Sequence, residues 1–400
     1  MRSLNPTPAR PGFFVLASFP LSFVGFRHRL LRALKDNGGE LLLAAPGLSQ
    51  DATVRSRLSP LGCRFADLPM WRTGTSPLQD MVTLLSLTRL LRRERPVHFL
   101  GYTAKPVIYG LLAARMAGVP KRTALITGLG YLFGDDGQRG GSFARACGIL
   151  LYRIALAQAT SVIFQNRDDR DLFVRRRLVD PAKAGVVNGS GVPLDEFPPQ
   201  PMPPLDGGCH FLLIARLLED KGIREYAEAA RLLRGRYPGA VFHLVGWHDA
   251  HPRAVPPETL QRWIDEGLIV WHGRLEDVRP CLAACHVYVL PSYREGTPRT
   301  VLEAMATGRP TVTTDAPGCR QTVVPGETGL LVPVRDAAAL ANALEFFLMR
   351  PERIPQMGAR ARQHVERHYD VDLVNRQMMR LMGVAADEVP EASPYPAEGA

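Results

Sequence analysis

The sequence predicts an α/β protein of two doubly wound domains, each a parallel sheet covered by helices. Three observations carry that prediction. Short apolar runs alternate with helical stretches along the chain. The alternation breaks once, at a Pro- and Gly-rich stretch, and then resumes. The chain has 400 residues, long for one core and ample for two.

In the first half FFVLAS, ELLLAA, VHFLGY, RTALIT and SVIFQN read as strands buried on both faces, because they are apolar without alternation. RHRLLRALKDNGG, LQDMVTLLSLTRLLRRERP and KPVIYGLLAARMAGVP are apolar at helical spacing, and Gly or Pro closes each. In the second half HFLLIAR, VFHLVG, LIVWHG, VYVLPS, TVTTDA and GLLVPV are the strands. KGIREYAEAARLLRGRYPG, DVRPCLAACH, TPRTVLEAMATG and DAAALANALEFFLMR are the helices. The expected division is residues 1–196 as a first domain, 197–208 (FPPQPMPPLDGG) as an extended linker and 209–366 as a second domain. A helix over 367–382 is expected to pack back on the first domain. Residues 383–400, acidic and Pro-rich, read as a disordered tail. Ligands of doubly wound sheets bind beyond the carboxyl ends of the strands, so a cleft between the domains is the expected site.

Composition narrows the classes. With 46% hydrophobic and 22% charged residues the chain is that of a globular protein. No apolar run is long enough to span a bilayer, since FARACGILLYRIALAQA is interrupted by Arg145 and Arg153. The polar start MRSLNPTPARPG does not read as a secretory signal. Six cysteines are scattered without a CxxC pair. Cys281 and Cys285, one helical turn apart, read as buried thiols of a reducing cytosol rather than as metal ligands. Net charge is +10, unevenly placed: residues 1–200 hold 27 Lys and Arg against 14 Asp and Glu, the remainder 22 against 25. The first half therefore favours an anionic partner. Nucleic acid is not expected, because no recognition module appears and aromatics do not interleave with lysines.

The stretch VYVLPSYREGTPRTVLEAMATGRPTVTTDAPG holds the first chemistry. Thr297 suits an N-cap and Pro298 the first helical position; Gly308 stops the helix. The amides of Arg299, Thr300, Val301 and Leu302 then form an anion site. Glu295 stands before that helix and Glu303 in its second turn. Carboxylates repel phosphate but accept hydrogen bonds from hydroxyls. A phosphate flanked by hydroxyl-bearing groups describes a nucleotide sugar. Read alone, the spacing is common, with Glu303 a solvated helix residue and Glu295 a loop charge. IARLLEDKG adds Arg216 and Lys221 beyond a strand end, able to grip a diphosphate or else to pair with Glu219 and Asp220. In LIVWHGRLEDV, Gly273-Arg274 would admit a flat base.

In the first half, Gly25, Phe26 and Arg27 are expected to face an anion at a helix start. Phe19, Leu21, Phe23, Val24 and Phe26 form an apolar cluster followed by Arg27, His28, Arg29, Arg32 and Lys35. LTRLLRRERP adds four arginines. Apolar plus basic suits a membrane interface; the plainer reading is core phenylalanines and a solvated basic face. Gly128 and Gly130, in ITGLGYLFGDDGQRGG, permit close backbone approach to a ligand, and DDGQRGG reads as a mobile loop.

The motifs ARLLEDKGI, HGRLEDV, VLPSYREGTPRTVLEAMATGRPTVTTDAPG and ETGLLVPV, in that order, resemble the retaining glycosyltransferases of family four, which have the GT-B fold of two Rossmann-like domains facing a central cleft. SFVGFRHRLLRAL, YTAKPVIYGLLAARMAGVP, ITGLGYLF, VIFQNRDD and VVNGSGVPLDEF resemble the branch that extends lipid-linked glycans of capsule, O-antigen (lipopolysaccharide) or N-glycan assembly. The resemblance reaches about Arg380. It implies that Arg216 and Lys221 bind the donor diphosphate and that Glu295 contacts the donor sugar, with the amides of Gly296, Thr297 and Pro298 nearby. It further implies Thr300, Val301 and Leu302 at the pyrophosphate, Glu303 on the ribose, and Gly273, Arg274 and Leu275 lining the base. Many members carry a histidine at the end of a first-domain strand. Here HFLGYTAKP puts His98 at the strand's start, with Thr103 and Lys105 at its end facing the acceptor.

The implied function is hexosyl transfer, with retention, of a hexose or N-acetylhexosamine from a UDP-sugar to a polyprenyl-diphosphate-linked saccharide. No cofactor and no divalent metal are expected. The enzyme is expected to be cytoplasmic, peripheral on the inner membrane and in contact with its anionic surface. The alternatives are a UDP-N-acetylhexosamine 2-epimerase of the same fold and a non-catalytic membrane assembly partner.

Overall fold

β1 (Phe13–Leu16) consists of four consecutive buried apolar residues, as a strand covered on both faces requires. From it the chain winds through α1 (Leu21–Phe26), α2 (His28–Asp36), β2 (Leu41–Ala45), α3 (Ala52–Leu58), β3 (Arg64–Asp67), α4 (Pro77–Glu94), β4 (His98–Tyr102) and α5 (Ala104–Met116). β5 (Lys121–Ile126), α6 (Ser142–Ala157), β6 (Ser161–Phe164), α7 (Arg167–Arg175) and β7 (Ala184–Val186) complete the first sheet. Its order is β3-β2-β1-β4-β5-β6-β7, all parallel; Phe13 pairs with Leu41 on one side and His98 on the other. This computed structural model describes residues 12–71, 76–128, 142–248 and 251–384. The Gly-rich loop with Gly130 and DDGQRGG, and all but the first two residues of the expected tail, lie outside the described residues.

The second sheet is built from β8 (Cys209–Ile214), α8 (Ile223–Arg234), β9 (Ala240–Val245), α9 (Pro257–Asp265), β10 (Val270–Trp271), α10 (Arg279–Ala284) and β11 (Val287–Leu290). α11 (Arg299–Ala306), β12 (Thr311–Thr314), β13 (Gly329–Val332), α12 (Ala337–Met349), α13 (Arg353–His368) and α14 (Val371–Leu381) follow. The order is β10-β9-β8-β11-β12-β13, again all parallel. Both sheets are thus doubly wound, with the order reversing between β1 and β4 in one and between β8 and β11 in the other.

The described residues divide into two compact units, one drawn from residues 12–190 with 375–384, the other from residues 191–374. In the first, Phe14, Leu16, Phe99, Ile126 and Phe164 from the strands pack with Leu87, Leu111 and Tyr152 from the helices. In the second, separate clusters cover the two faces of the sheet. The Pro-rich segment 197–208 runs along the second unit and is stitched to it. Arg309 is fully buried, and its guanidinium donates to the carbonyls of Leu282 (2.9 Å), Gln200 (3.2 Å), Pro201 (2.9 Å) and Ala283 (2.8 Å). Arg362 Nη1 donates to the carbonyls of Phe197 and Ala306, each at 2.8 Å. His286 Nε2 lies 3.2 Å from the Pro203 carbonyl. A carbonyl-lined cradle of this kind keeps a cation in the interior without a carboxylate.

The end of α14 belongs to the first unit. Leu381 lies where a Cβ on Gly185 of β7 would fall, 2.7 Å away, and Lys121 of β5 donates to the Gly383 carbonyl. A row of imidazoles crosses the second sheet: His210 Nδ1 is 2.8 Å from His243 Nε2, and His243 Nδ1 is 2.9 Å from His272 Nε2. Burial, with the two neighbouring rings, pulls His243 down to about 4.

Candidate functional site

The loops leaving the carboxyl ends of β8 and β11 meet where the second sheet's strand order reverses. Residues 215–222 bring Arg216 and Lys221; residues 291–298 bring Glu295. Gly222 stands at φ +70, and a Cβ there would lie 2.1 Å from the Pro291 carbonyl oxygen. Glycine is what lets the two loops touch. Lys221 Nζ donates to Glu295 Oε1 at 2.5 Å. Ser292 Oγ, fully buried, sits 2.8 Å from the same Oε1 and 3.0 Å from the Asp220 carbonyl; its single proton serves one of them at a time. Both contacts fall on Oε1, so Glu295 is fixed through one oxygen while Oε2 carries neither.

The electrostatics follow from this geometry. Burial by itself would pull the Lys221 ammonium down. The Glu295 carboxylate, by charge and by hydrogen bond, outweighs it and holds the lysine above its ordinary range, while Arg216 opposes. Arg216 is exposed and close enough to be felt by Lys221, so the two cations predicted for a diphosphate do share one place. Beneath them Gly318 stands at φ +80, and a Cβ there would lie 2.1 Å from the Glu295 carbonyl oxygen. The Glu295 amide donates to the Pro317 carbonyl at 3.0 Å. The DAPG run is therefore the floor of the carboxylate loop.

α11 differs from its sequence expectation at the amino end. Thr297 does not cap it: the Thr297 hydroxyl donates to the Gly296 carbonyl at 2.9 Å, and the N-cap residue is Pro298, with φ −71 and ψ 108. The Val301 and Leu302 amides donate to the Pro298 carbonyl at 3.2 and 3.4 Å, so two of the four amides assigned to an anion already have a partner inside the helix. The side chains of Val301 and Leu302 are core. Thr300 Oγ1 lies 2.7 Å from the Tyr288 hydroxyl, which is also 3.2 Å from the Ile214 carbonyl; this ties the helix start to the interior of β11 and the end of β8. Burial pushes the Tyr288 phenol far up. Glu303 is 7% exposed, not a solvated helix residue. Arg299 Nε donates to its Oε1 at 2.9 Å, yet burial still raises its carboxyl above the usual range.

Gly273 follows β10 at φ +69, with open space where a Cβ would go, and its carbonyl accepts from the Gly246 amide at 2.8 Å. The Arg274 guanidinium lies over the Trp247 ring, 5.2 Å from its centroid, and Leu275 packs on the core. Sequence reasoning missed Ser292, Tyr288 and Trp247. Ser292 had a signal, a hydroxyl directly after a strand-ending proline. Tyr288 had none, because VYVL reads as core. A separate open groove lies between α8 and α9, lined by Arg224, Glu225, Arg231, Trp263 and Arg335 among others. It contains none of the predicted residues, and its Arg231 is already neutralised by Glu228 and Glu266.

In the first unit the predicted residues are spread. Gly25 lies inside α1, not at a helix start, because α1 ends only at Arg27 (φ −125, ψ −1), from which α2 begins. That kink turns Arg27 inward: it is buried, its guanidinium 5.4 Å from the Tyr102 ring centroid. Phe26 and Leu21 are exposed, but Phe23 is fully buried against Tyr102, so the expected apolar cluster is divided between core and surface. Thr103 stands at φ +70 and ψ 162, its hydroxyl 3.0 Å from Ser18 Oγ. Lys105 does not point its charge at open solvent. Its ammonium donates to Asp80 Oδ1 at 2.8 Å, and the Tyr109 hydroxyl donates to Asp80 Oδ2 at 2.7 Å. Gly128 follows β5 at φ +150. His98 opens β4, stacked on Phe13 at 4.6 Å, and burial, aided by Lys121, pulls it down to about 4.

A family model described as "Glycosyl transferases group 1" matches residues 208–350, and one described as "Glycosyl transferase 4-like domain" matches residues 26–189. The chain belongs to the family-four glycosyltransferases. As such it is a hexosyltransferase, and the two Rossmann-like sheets are those of the GT-B fold. This glycosyltransferase is 28% identical over 371 residues to the N,N'-diacetylbacillosaminyl-diphospho-undecaprenol alpha-1,3-N-acetylgalactosaminyltransferase of Campylobacter jejuni, covering 90% of this chain and 95% of that one. It is 28% identical over 313 residues to the UDP-Gal:alpha-D-GlcNAc-diphosphoundecaprenol alpha-1,3-galactosyltransferase of Escherichia coli, covering 74% and 75%. Among solved structures, sucrose-phosphate synthase from Thermosynechococcus elongatus superposes with a TM-score of 0.77 at 21% identity, covering 93% of this chain and 98% of that one. Among the described residues of the glycosyltransferase, no helix is long and apolar enough to cross a membrane, and no group of three or more His, Cys, Asp or Glu side chains is arranged to hold a metal ion.

Proposed function

We propose that this glycosyltransferase moves a hexose or N-acetylhexosamine from a UDP-sugar to a polyprenyl-diphosphate-linked saccharide, with retention at the anomeric carbon, in the assembly of a cell-surface glycan. The observation that carries the reading is the Lys221–Glu295 pair, with Arg216 beside it, at the switch point of the second sheet. A cation pair suits a diphosphate, and a carboxylate held through one oxygen presents the other to sugar hydroxyls. Two relatives whose names carry undecaprenol-diphosphate acceptors, one of them also a UDP-sugar donor, support the substrate classes.

The chemistry then runs as follows. The diphosphate draws Lys221 away from sole attachment to Glu295, and Arg216 and Lys221 take up the charge that develops as the bond from the anomeric carbon to the β-phosphate oxygen breaks. The acceptor hydroxyl forms the new bond on the same face, and its proton passes to the departing diphosphate. Glu303 accepts from ribose hydroxyls, and Trp247 with Arg274 gives the base a flat neighbour. With these cations in place the diphosphate requires no divalent metal. Gly128, Thr103 and the first unit serve the acceptor. The net positive charge of residues 1–200 suits an enzyme peripheral on the anionic cytoplasmic face of the inner membrane.

The test is UDP release from a panel of UDP-sugars, with and without a short-chain polyprenyl-diphosphate saccharide, in the presence of EDTA. Lipid-dependent release that Glu295→Ala and Lys221→Ala each lower by about 10²–10³-fold is the expected result. Release indifferent to the acceptor overturns the acceptor assignment, and loss of release in EDTA overturns metal independence.

A further inference from the structure

α4 has a solvent face unlike that of an ordinary surface helix. Leu78, Met81, Val82 and Leu85 are 81, 53, 47 and 41% exposed, and Arg89, Arg92 and Arg93 are exposed beyond them. At about 100° per residue these seven positions fall within about 60° of a single line along the helix. The opposite side, with Leu87 and Leu91 fully buried, packs into the core of the first unit. The outer line is therefore graded along the axis, apolar over its first two turns and cationic over its last two.

We propose that α4 docks this enzyme on an anionic lipid surface, its amino-terminal half in the acyl boundary and its arginines among the phosphates. The gradient argues for a bilayer rather than a protein. A protein interface places apolar residues at the centre with a polar rim around them. A bilayer interface changes from apolar to anionic along one direction, over about 5–10 Å of depth. At 1.5 Å per residue, Leu78 to Leu85 spans about 10 Å, and Arg89 to Arg93 follows at headgroup distance. Arg92 is braced for this by donating to the Met116 carbonyl at 3.2 Å, and the amino end of α4 is pinned to α5 by Asp80, which holds Lys105 and Tyr109. The docking deepens the proposed function by saying how a membrane-held acceptor is reached, and its purpose rests on that reading.

The test uses the full chain and vesicles of phosphatidylcholine with or without phosphatidylglycerol, read by co-sedimentation. Wild type is expected to bind the anionic vesicles, less so as salt rises. Leu78→Glu with Leu85→Glu is expected to reduce the bound fraction about tenfold or more, and Arg89→Glu with Arg92→Glu to reduce it about tenfold while removing the salt dependence. Both leucines are outside the core, so the leucine variant should keep the wild-type melting temperature and the wild-type rate of UDP release with a water-soluble short-chain acceptor. Wild type that ignores vesicles, as a protein-docking helix would, or a leucine variant that binds like wild type, overturns the proposal. Vesicle binding by a wild type that releases no UDP with any acceptor would instead remove the proposed function and leave the docking intact.

Discussion

The two sheets reverse their strand order alike, but the loops at the two reversals are held differently. At the second, Lys221, Ser292, Gly222 and Gly318 converge on one carboxylate loop, and every contact tightens it. At the first, Thr103 occupies φ +70 and ψ 162, a backbone region nearly confined to glycine and costly by about 1–3 kcal/mol for a branched side chain. Nearby, Arg27 and Lys105 are turned into the unit. In the proposed function the second reversal holds a nucleotide diphosphate, the same charge in every donor, and such a site can be prebuilt. In the proposed function the first reversal serves a variable acceptor, which leaves less to fix in advance; there Arg27 lies over Tyr102 and Lys105 is paired with Asp80.

The largest effect expected from that contrast is catalytic. Glu295→Ala and Lys221→Ala should each lower kcat by about 10²–10³-fold, and the double variant by little more than either, because each residue holds the other. Additive losses in steady-state rates would break the pairing. Ser292→Ala removes one of two contacts on Oε1 and should cost about 1 kcal/mol, roughly fivefold in kcat/KM. Arg309→Ala should lower unfolding stability by about 3 kcal/mol, since it leaves buried carbonyls without a donor; chemical denaturation reads it, and a change below about 1 kcal/mol would show that the cradle is dispensable.

Acid acts on both units through histidines. His98, His243 and His364 are each pulled down to about 4, chiefly by burial. A histidine with a depressed folded value is kept neutral by the fold, so below about 6.5 the unfolded chain takes up more protons. Stability is therefore full above pH 6.5 and falls as pH drops toward 4. Unfolding midpoints that stay level across that window would contradict the burial account; His243→Leu should flatten the fall in part. The smallest effect is at the strained turn. Thr103→Gly should raise stability by about 1 kcal/mol, the strain relieved less the added chain entropy. A loss instead would mean that the Ser18 contact outweighs the backbone cost.

Much of the proposed donor side was legible because its parts are contiguous. A strand, a Pro-Ser turn, YREG and a proline-led helix lie within one run, so spacing alone brings Glu295 and the start of α11 to a strand end. The glycines at 222 and 318 could be seen but not what they touch. The proposed acceptor side was legible as composition and not as placement. The sequence cannot say that a six-residue α1 breaks at Arg27 and so buries the arginine, nor that Asp80, at the start of another helix, reaches Lys105. β3 and β7 escaped because one is polar at the sheet edge and the other has three residues. The graded face of α4 was hidden for a related reason: LQDMVTLLSLTRLL is apolar nearly all round, and periodicity alone does not say which leucines lie inside.

The first unit is discontinuous in sequence, since its last helical turns come from residues beyond 375 and Leu381 fills the space against Gly185. On the ribosome this reverses the usual order. When residue 190 has left the exit tunnel the first sheet has all its strands, yet β7 still lacks its cover. Residues 191–374 of the second unit are all made before the turns of α14 that cover β7. A chain cut after residue 374 would therefore hold every strand of both sheets and still leave the Gly185 face of β7 open, the exposed surface that chaperones meet.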